Sequence, residues 1–306
     1  MSSSSSHDQN LPLAVLILLG QIVLSIGIGA AVKSISAETA FLVIMSARYL
    51  FSLPLLAGYG VYQRGIHVLH VTQIGVLAAR CCAGLAGLVS YLYAVIHLNL
   101  SLATVLSQTM SLFITLLAPV MLKEKVGIRR MSGIAAGFAG VLIVLNPGSE
   151  IFSSYSTAGV IAGLFAPFCG ALMFIFLRKL GTRDEPVSTA LWYNFSGACL
   201  FTALFVLSED NLPPLALSHI SVWLILIAIG VASSVQQFMM ARSHQLADAS
   251  TLAPVHYASV PLSMIAGITL FSDPVGIHFI IGTAIIIGAS WYILKREQQL
   301  KKQGKL

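Results

Sequence analysis

Residues 11–33 read LPLAVLILLGQIVLSIGIGAAVK. From Leu11 to Val32 no side chain is charged, and the polar ones, Gln21 and Ser25, are neutral. A helix rises about 1.5 Å per residue and the hydrocarbon of a bilayer is about 30 Å thick, so about 20 such residues make one crossing. The preceding MSSSSSHDQN lacks the positive region of a secretory signal, and the apolar run is too long for one. It is therefore expected to stay as the first span. The pattern recurs outward: apolar runs closed by charge, Pro or Gly lie at 38–62, 74–97, 100–122, 128–146, 157–177, 187–208, 219–241, 249–271 and 275–294. Ten crossings would use about 210 residues. The linkers left over are too short for a soluble domain, and consecutive helices must run antiparallel. The expectation is an all-α integral membrane protein of ten transmembrane helices, with a polar tail at 1–10 and a basic tail at 295–306.

Composition agrees. The 306 residues are 57% hydrophobic and 9% charged, with a mean hydropathy of +0.88, where a soluble domain carries about 25% charge. A soluble enzyme, a nucleic-acid binder and a disordered chain are excluded. The net charge of +6 then reads as orientation. With the N-terminus cytoplasmic, Arg64, Lys123, Lys125, Arg129, Arg130, Arg178, Lys179, Arg183, Arg242, Lys295, Arg296, Lys301, Lys302 and Lys305 share that side. Lys33 alone faces the other, and Arg48 and Arg80 lie within spans. So strong a bias obeys the positive-inside rule and puts both termini in the cytoplasm. Cys81, Cys82, Cys169 and Cys199 lie in apolar runs without metal-ligand spacing and read as small buried hydrophobes. No metal or cofactor is expected. His67 and His70 have no carboxylate beside them, and no phosphate-binding glycine loop with Lys occurs, so the chain does not read as an enzyme.

Residues 11–146 and 157–294 look like two copies of one unit. Lys33 and Lys179 each end a first helix. Tyr91, Ala94 and His97 match Phe238, Ala241 and His244, and Ala103-Thr104-x-Leu106 matches Ala249-Ser250-x-Leu252. Glu124 precedes Gly133 as Asp273 precedes Gly282. Five spans per unit is odd, so the second copy would enter the membrane inverted, a transporter architecture.

Within the first unit, Ala103-Thr104-Val105-Leu106, then Leu122-Lys123-Glu124-Lys125-Val126-Gly127, then Gly137-Phe138-Ala139-Gly140-Val141-Leu142-Ile143-Val144 resemble the signature of the EamA family of the drug/metabolite transporter superfamily. The second unit departs from it with Asp273-Pro274 in place of the Glu. The resemblance implies a multi-pass bacterial inner-membrane carrier with two inverted EamA repeats. Its partners would be the lipid bilayer and a small-molecule substrate, without ATP hydrolysis and without nucleic acid. It suggests export of a small amino-acid-like metabolite, such as an opine-type metallophore, by alternating access. Uptake or exchange of S-adenosylmethionine, or a channel or structural role, stays open.

The residues that could carry transport are the polar ones at depth. A charge in hydrocarbon is expensive, so Arg48, near the middle of the second span, is a candidate for holding a carboxylate bidentately; locking the bundle is the alternative. Arg80, nearer a span end, reads as snorkelling or structurally paired. None of Glu38, Glu124, Glu209, Asp248 and Asp273 reaches midplane depth, which leaves the coupling ion open. His256 and Tyr257 sit between Pro254 and Pro261, where a broken helix would wall a site. Asn194 takes the repeat position of Arg48, with Trp192 and Tyr193 beside it as stacking surface. Gln21 and Gln108 complete the candidate substrate site, and Gln236 and Gln237 are further polar residues. Gly133-x-x-x-Gly137 and Gly159-x-x-x-Gly163 predict close helix packing inside the bundle, or a homodimer face.

Overall fold

A computed structural model describes residues 11–121, 127–146, 155–180, 184–207, 219–246, 252 and 255–302. Both outermost tail segments, Glu124, Glu209, Asp248 and Pro254, and the Ala249-Ser250 half of one repeat match, lie outside the described residues. Helix makes up 89% of the structure, and no strand occurs among the described residues. The helices are α1 (Leu11–Ile35), α2 (Phe41–Arg64), α3 (Ile74–His97), α4 (Leu100–Ser107), α5 (Met110–Met121), α6 (Ile128–Leu145), α7 (Thr157–Leu180), α8 (Pro186–Leu207), α9 (Ile220–Leu246), α10 (Ser259–Phe271) and α11 (Ile277–Lys302). A short 3-10 turn, Gly65–Leu69, links α2 to α3.

Eight helical stretches are long and apolar enough to cross a bilayer, with α4 and α5 together supplying one of them. The sequence reading counts ten. The difference falls on α6, whose first turn carries Arg129 and Arg130 and leaves a short apolar helix from Met131 to Leu145, and on α10, Ser259–Phe271. The predicted ninth span is not one straight helix. Its backbone turns at Tyr257 and Ala258, and the Ala258 and Val260 amides reach carbonyls three residues back. The fourth span breaks in the same way at Gln108 and Thr109, whose amides bond Val105 and Leu106. The tighter i→i−3 bonds are a helical geometry used in short pieces.

The packing partners form a pattern that survives exchanging the two units. α1 lies on α9 and α3 on α7; α2 lies on α8 and on α9; α6 lies on α11, and α4 on α10. Leu16, Val23, Val206, Leu224, Leu270, Ile280 and other large apolar side chains cover the outside, as a surface against lipid tails requires. In lipid, helix association depends on close packing of small residues. Gly140 of α6 and Gly282 of α11 meet reciprocally: a Cβ on Gly140 would stand 2.9 Å from the Gly282 carbonyl, and one on Gly282 2.7 Å from that of Gly140. Gly133 and Gly137 pack on Ile293 and Leu112, and Gly159 and Gly163 on Leu98 and Leu106. These small-residue rows are therefore taken up by contacts within the chain. Cys81 and Cys169 are buried as expected, but Cys82 and Cys199 face outward. A thiol is apolar enough for a lipid-facing position.

Candidate functional site

Arg48 lies on α2, half-buried among buried neighbours. It forms no hydrogen bond and no ion pair among the described residues, although its charge acts on the phenols of Tyr49 and Tyr91. Tyr91 of α3 lies in turn beside Thr104 of α4, so the guanidinium stands where α2 and α3 approach the broken fourth span. Its five N–H donors have no fixed acceptor among the described residues.

The residues around it are, by contrast, bound to one another. Tyr49 is almost wholly buried. Its phenol donates to the Tyr193 hydroxyl at 3.1 Å, and that hydroxyl donates to the Gly84 carbonyl at 3.3 Å. The Tyr49 ring stacks on Phe201 at 5.7 Å and meets Tyr193 edge-on at 5.9 Å. Glycine is required on α8 here, since a Cβ on Gly197 would sit 2.6 Å from the Tyr49 ring. Arg80 does not snorkel. It is buried, donates to the Thr189 carbonyl at 3.3 Å and lies over the Tyr193 ring at 4.4 Å, which supports the structural pairing expected as its alternative.

Asn194 does not share the open chemistry of its repeat partner. Its Oδ1 accepts from Ser52 at 2.9 Å and from Gln237 Nε2 at 3.4 Å. Its Nδ2 donates to the Ala190 carbonyl at 2.9 Å and to Gln237 Oε1 at 3.3 Å. Every donor and acceptor is used, and the amide ties α2, α8 and α9 together. Trp192 donates its indole N–H to the Leu69 carbonyl at 3.0 Å and so anchors the α2–α3 connection.

A second polar group gathers where the two broken spans meet. Gln108 donates from Nε2 to the Ser259 hydroxyl. Ser111 donates to Ser290 of α11 at 2.8 Å, and Tyr257 lies against both serines. His256 is half-buried beside it. Gln21 of α1 is buried, and its Oε1 has no partner. The structure thus brings Gln108 and Tyr257 into one cluster and leaves Gln21 apart from any described hydrogen bond. Tyr49, Ser52, Ser111, Ser259 and Ser290 were not singled out from the sequence, and Tyr91 entered only through the repeat match. Tyr49 adjoins Arg48, a signal that could have raised it, but isolated serines on apolar helices carry none.

Many apolar helices of membrane length, two units that pack interchangeably, and polar groups buried where broken helices meet together define a polytopic membrane protein of the transporter type. The chain matches the EamA-like transporter family over residues 12–146 and again over 157–295, and it belongs to that family as two EamA-like repeats. It is 28% identical to a riboflavin transporter of Brucella anthropi, over 80% of this chain and 84% of that one. It is also 28% identical to a riboflavin transporter of Vibrio cholerae, over 83% and 81%. An S-adenosylmethionine uptake transporter of Rickettsia bellii is 25% identical over 82% and 83%. A crystal structure superposes with a TM-score of 0.61 over 94% of this chain and 98% of its own, at 17% identity, a likeness of fold.

Proposed function

We propose that this protein is a secondary carrier of the bacterial inner membrane that takes up a small metabolite bearing a flat, acceptor-rich ring. The observation that carries the reading is Arg48, a half-buried guanidinium without a bonded partner among the described residues. A charge at that depth is costly to keep and marks a substrate path. The planar fork suits two coplanar acceptors, either a carboxylate or the carbonyl and ring-nitrogen edge of a heterocycle. Tyr91, whose phenol feels the Arg48 charge, offers an aromatic face. Riboflavin and S-adenosylmethionine are the compounds in the relatives' names; the flat ring of the first has such a carbonyl and ring-nitrogen edge, and the second joins a flat adenine ring to a carboxylate. Uptake is preferred over export of an amino-acid-like compound because the Rickettsia relative is named for uptake.

In this reading ten spans form two inverted units, with α6 and the broken ninth span among the crossings and both termini cytoplasmic. Arg48 and Tyr91, with Gln21, Gln108, His256 and Tyr257, face the substrate. Trp192, Tyr193 and Asn194 hold the helices that present them. The interchangeable packing of α1 on α9 and α3 on α7 supports alternating access, since two equivalent arrangements can open to opposite sides.

The test is counterflow in proteoliposomes holding the purified protein, with labelled riboflavin and labelled S-adenosylmethionine as probes. Unlabelled substrate on the far side is expected to speed entry of one probe, which a channel would not show. Arg48→Ala is expected to lower that rate about tenfold or more while the protein still melts cooperatively. Absence of trans-stimulation with both probes, or wild-type rates in Arg48→Ala, would overturn the reading.

A further inference from the structure

We propose that Asp273 is a proton-binding site whose occupancy opens the end of the molecule at which Lys33 lies, with Lys33 as its counter-ion in the closed state. The proposal rests on the carrier reading for its purpose but not for its test. Asp273 follows α10, whose last turn is closed by Ser272 at a positive φ of 54°. That left-handed residue, of a kind that often ends helices, turns the chain so that the Asp273 amide bonds the Gly267 carbonyl at 3.0 Å. The side chain is only 3% exposed. Its Oδ1 meets the Lys33 ammonium at 3.4 Å. Lys33 also donates to the Leu98 carbonyl at 3.2 Å and lies 4.7 Å over the Phe271 ring. The contact therefore joins the end of α1 in the first unit to the end of α10 in the second.

The other oxygen decides the matter. Oδ2 is buried without a hydrogen-bond partner among the described residues. It points at Gly267, where a Cβ would come within 2.5 Å both of Oδ2 and of the Ser101 hydroxyl, and that hydroxyl donates to the Ser263 carbonyl instead. Most buried polar atoms are bonded, so this oxygen has room to take up a proton. Among the described residues the titratable neighbours are few. α1 presents Lys33, and the segment before α7 presents Tyr155, whose phenol accepts from Asn99 at 3.1 Å. After α3 the Leu98 carbonyl meets Lys33, α4 presents Ser101, and His97, the last residue of α3, lies against the Tyr93 ring at 4.1 Å. His278, further along the chain, packs on Gly276.

Parting α1 from α10 separates Lys33 from the carboxylate, and as long as Asp273 keeps its negative charge their attraction resists that step. A proton from solvent on Oδ2 cancels that charge: the carboxylate and a proton become the carboxylic acid, and no other bond changes. Low pH on that side then favours the open state, and closure with Lys33 in place returns the proton. The sequence repeats the pair as Lys179 and Glu124 at matching positions of the other unit.

The test uses Ser101→Cys, at a site 1% exposed beside the pair, in a chain whose four cysteines are replaced by alanine. The purified protein in detergent micelles is labelled with a water-soluble maleimide. Rates are divided by those of the denatured protein at the same pH. Labelling is expected to quicken about tenfold between about pH 7 and about pH 4. Asp273→Asn is expected to label fast at both, Asp273→Glu to restore the pH response, and His278→Gln to leave it intact. Wild-type labelling indifferent to pH, an unchanged response in Asp273→Asn, or loss of the response in His278→Gln would overturn the proposal. Should Asp273→Asn fail to fold, Lys33→Met with Asp273→Asn removes both charges and is read in the same way. No substrate is needed, so failure here is distinct from failure of riboflavin counterflow.

Discussion

Arg48 and Asn194 stand at matching positions of the two repeats, yet only the asparagine is bound by its neighbours. Asn194 is 1% exposed and saturated by Ser52, Gln237 and the Ala190 carbonyl. Asn194→Leu strands the Gln237 amide, while the Ser52 hydroxyl keeps the Tyr49 carbonyl, and a buried polar group left unpaired costs about 1–3 kcal/mol. The variant is expected to melt several degrees lower in detergent. Arg48→Met takes away a charge that no partner compensates, so its melting temperature is expected to equal or exceed the wild type's even as transport falls, as with residues kept for function at a cost in stability. A lower melting temperature for Arg48→Met would make Arg48 a lock and not a site. The repeat offset made both positions visible in the sequence. It could not show that one is saturated, because Ser52 and Gln237 are common residues on apolar helices, and their meeting across three helices is a product of packing.

At the scale of the helix, the breaks at Gln108–Thr109 and Tyr257–Ala258 and the ends of the helices carry what the apolar pattern hid. Hydropathy finds runs of the right length, and it placed every described helix. It cannot tell a straight crossing from one that turns midway, since Thr109 and Tyr257 cost little in a window average. The start of α3 shows a second blind spot. No side chain of its own caps it; Asp184, from the stretch between α7 and α8, accepts from the Thr72 amide at 2.7 Å, the Thr72 hydroxyl at 2.8 Å and the Gln73 amide at 3.2 Å. Negative charge at a helix N-terminus is favourable. Burial pushes this carboxyl up, but the bonds from Thr72 and Gln73, with His70 nearby, outweigh it and hold the group below the usual range. With its folded value below the unfolded one, its contribution is complete above about pH 4 and is lost as pH falls through the folded value. Asp184→Ala is expected to lower the melting temperature near neutral pH and to flatten its fall in acid. Parallel pH profiles for wild type and variant would show that the carboxylate does not hold α3.

For the whole molecule, two independent signals point to one arrangement in the membrane. The basic residues sort to one side under any register of ten spans that keeps Lys33 opposite Arg64, and the structure puts Lys33 and Arg64 at the ends of the successive helices α1 and α2. Cross-unit contacts then tie the bundle at both ends, Lys33–Asp273 at one and Asp184–Thr72 with Arg64–Glu185 at the other. These ties link the same two units, so opening one end while the other stays closed is a rocking of one unit on the other. That motion reaches opposite sides of the membrane because α1 and α2 end at opposite ends of the bundle, and by the positive-inside rule α1 is expected to end outside and α2 inside. A fluorescent protein fused after Leu306 is therefore expected to mature, as it does only in the cytoplasm, and a cysteine at Glu38 is expected to react with an impermeant maleimide added to intact spheroplasts. The reverse result at both positions would invert the molecule and place the Lys33–Asp273 contact on the cytoplasmic side. External pH could then no longer act on it directly, and the direction assigned to proton-driven opening would have to be reversed.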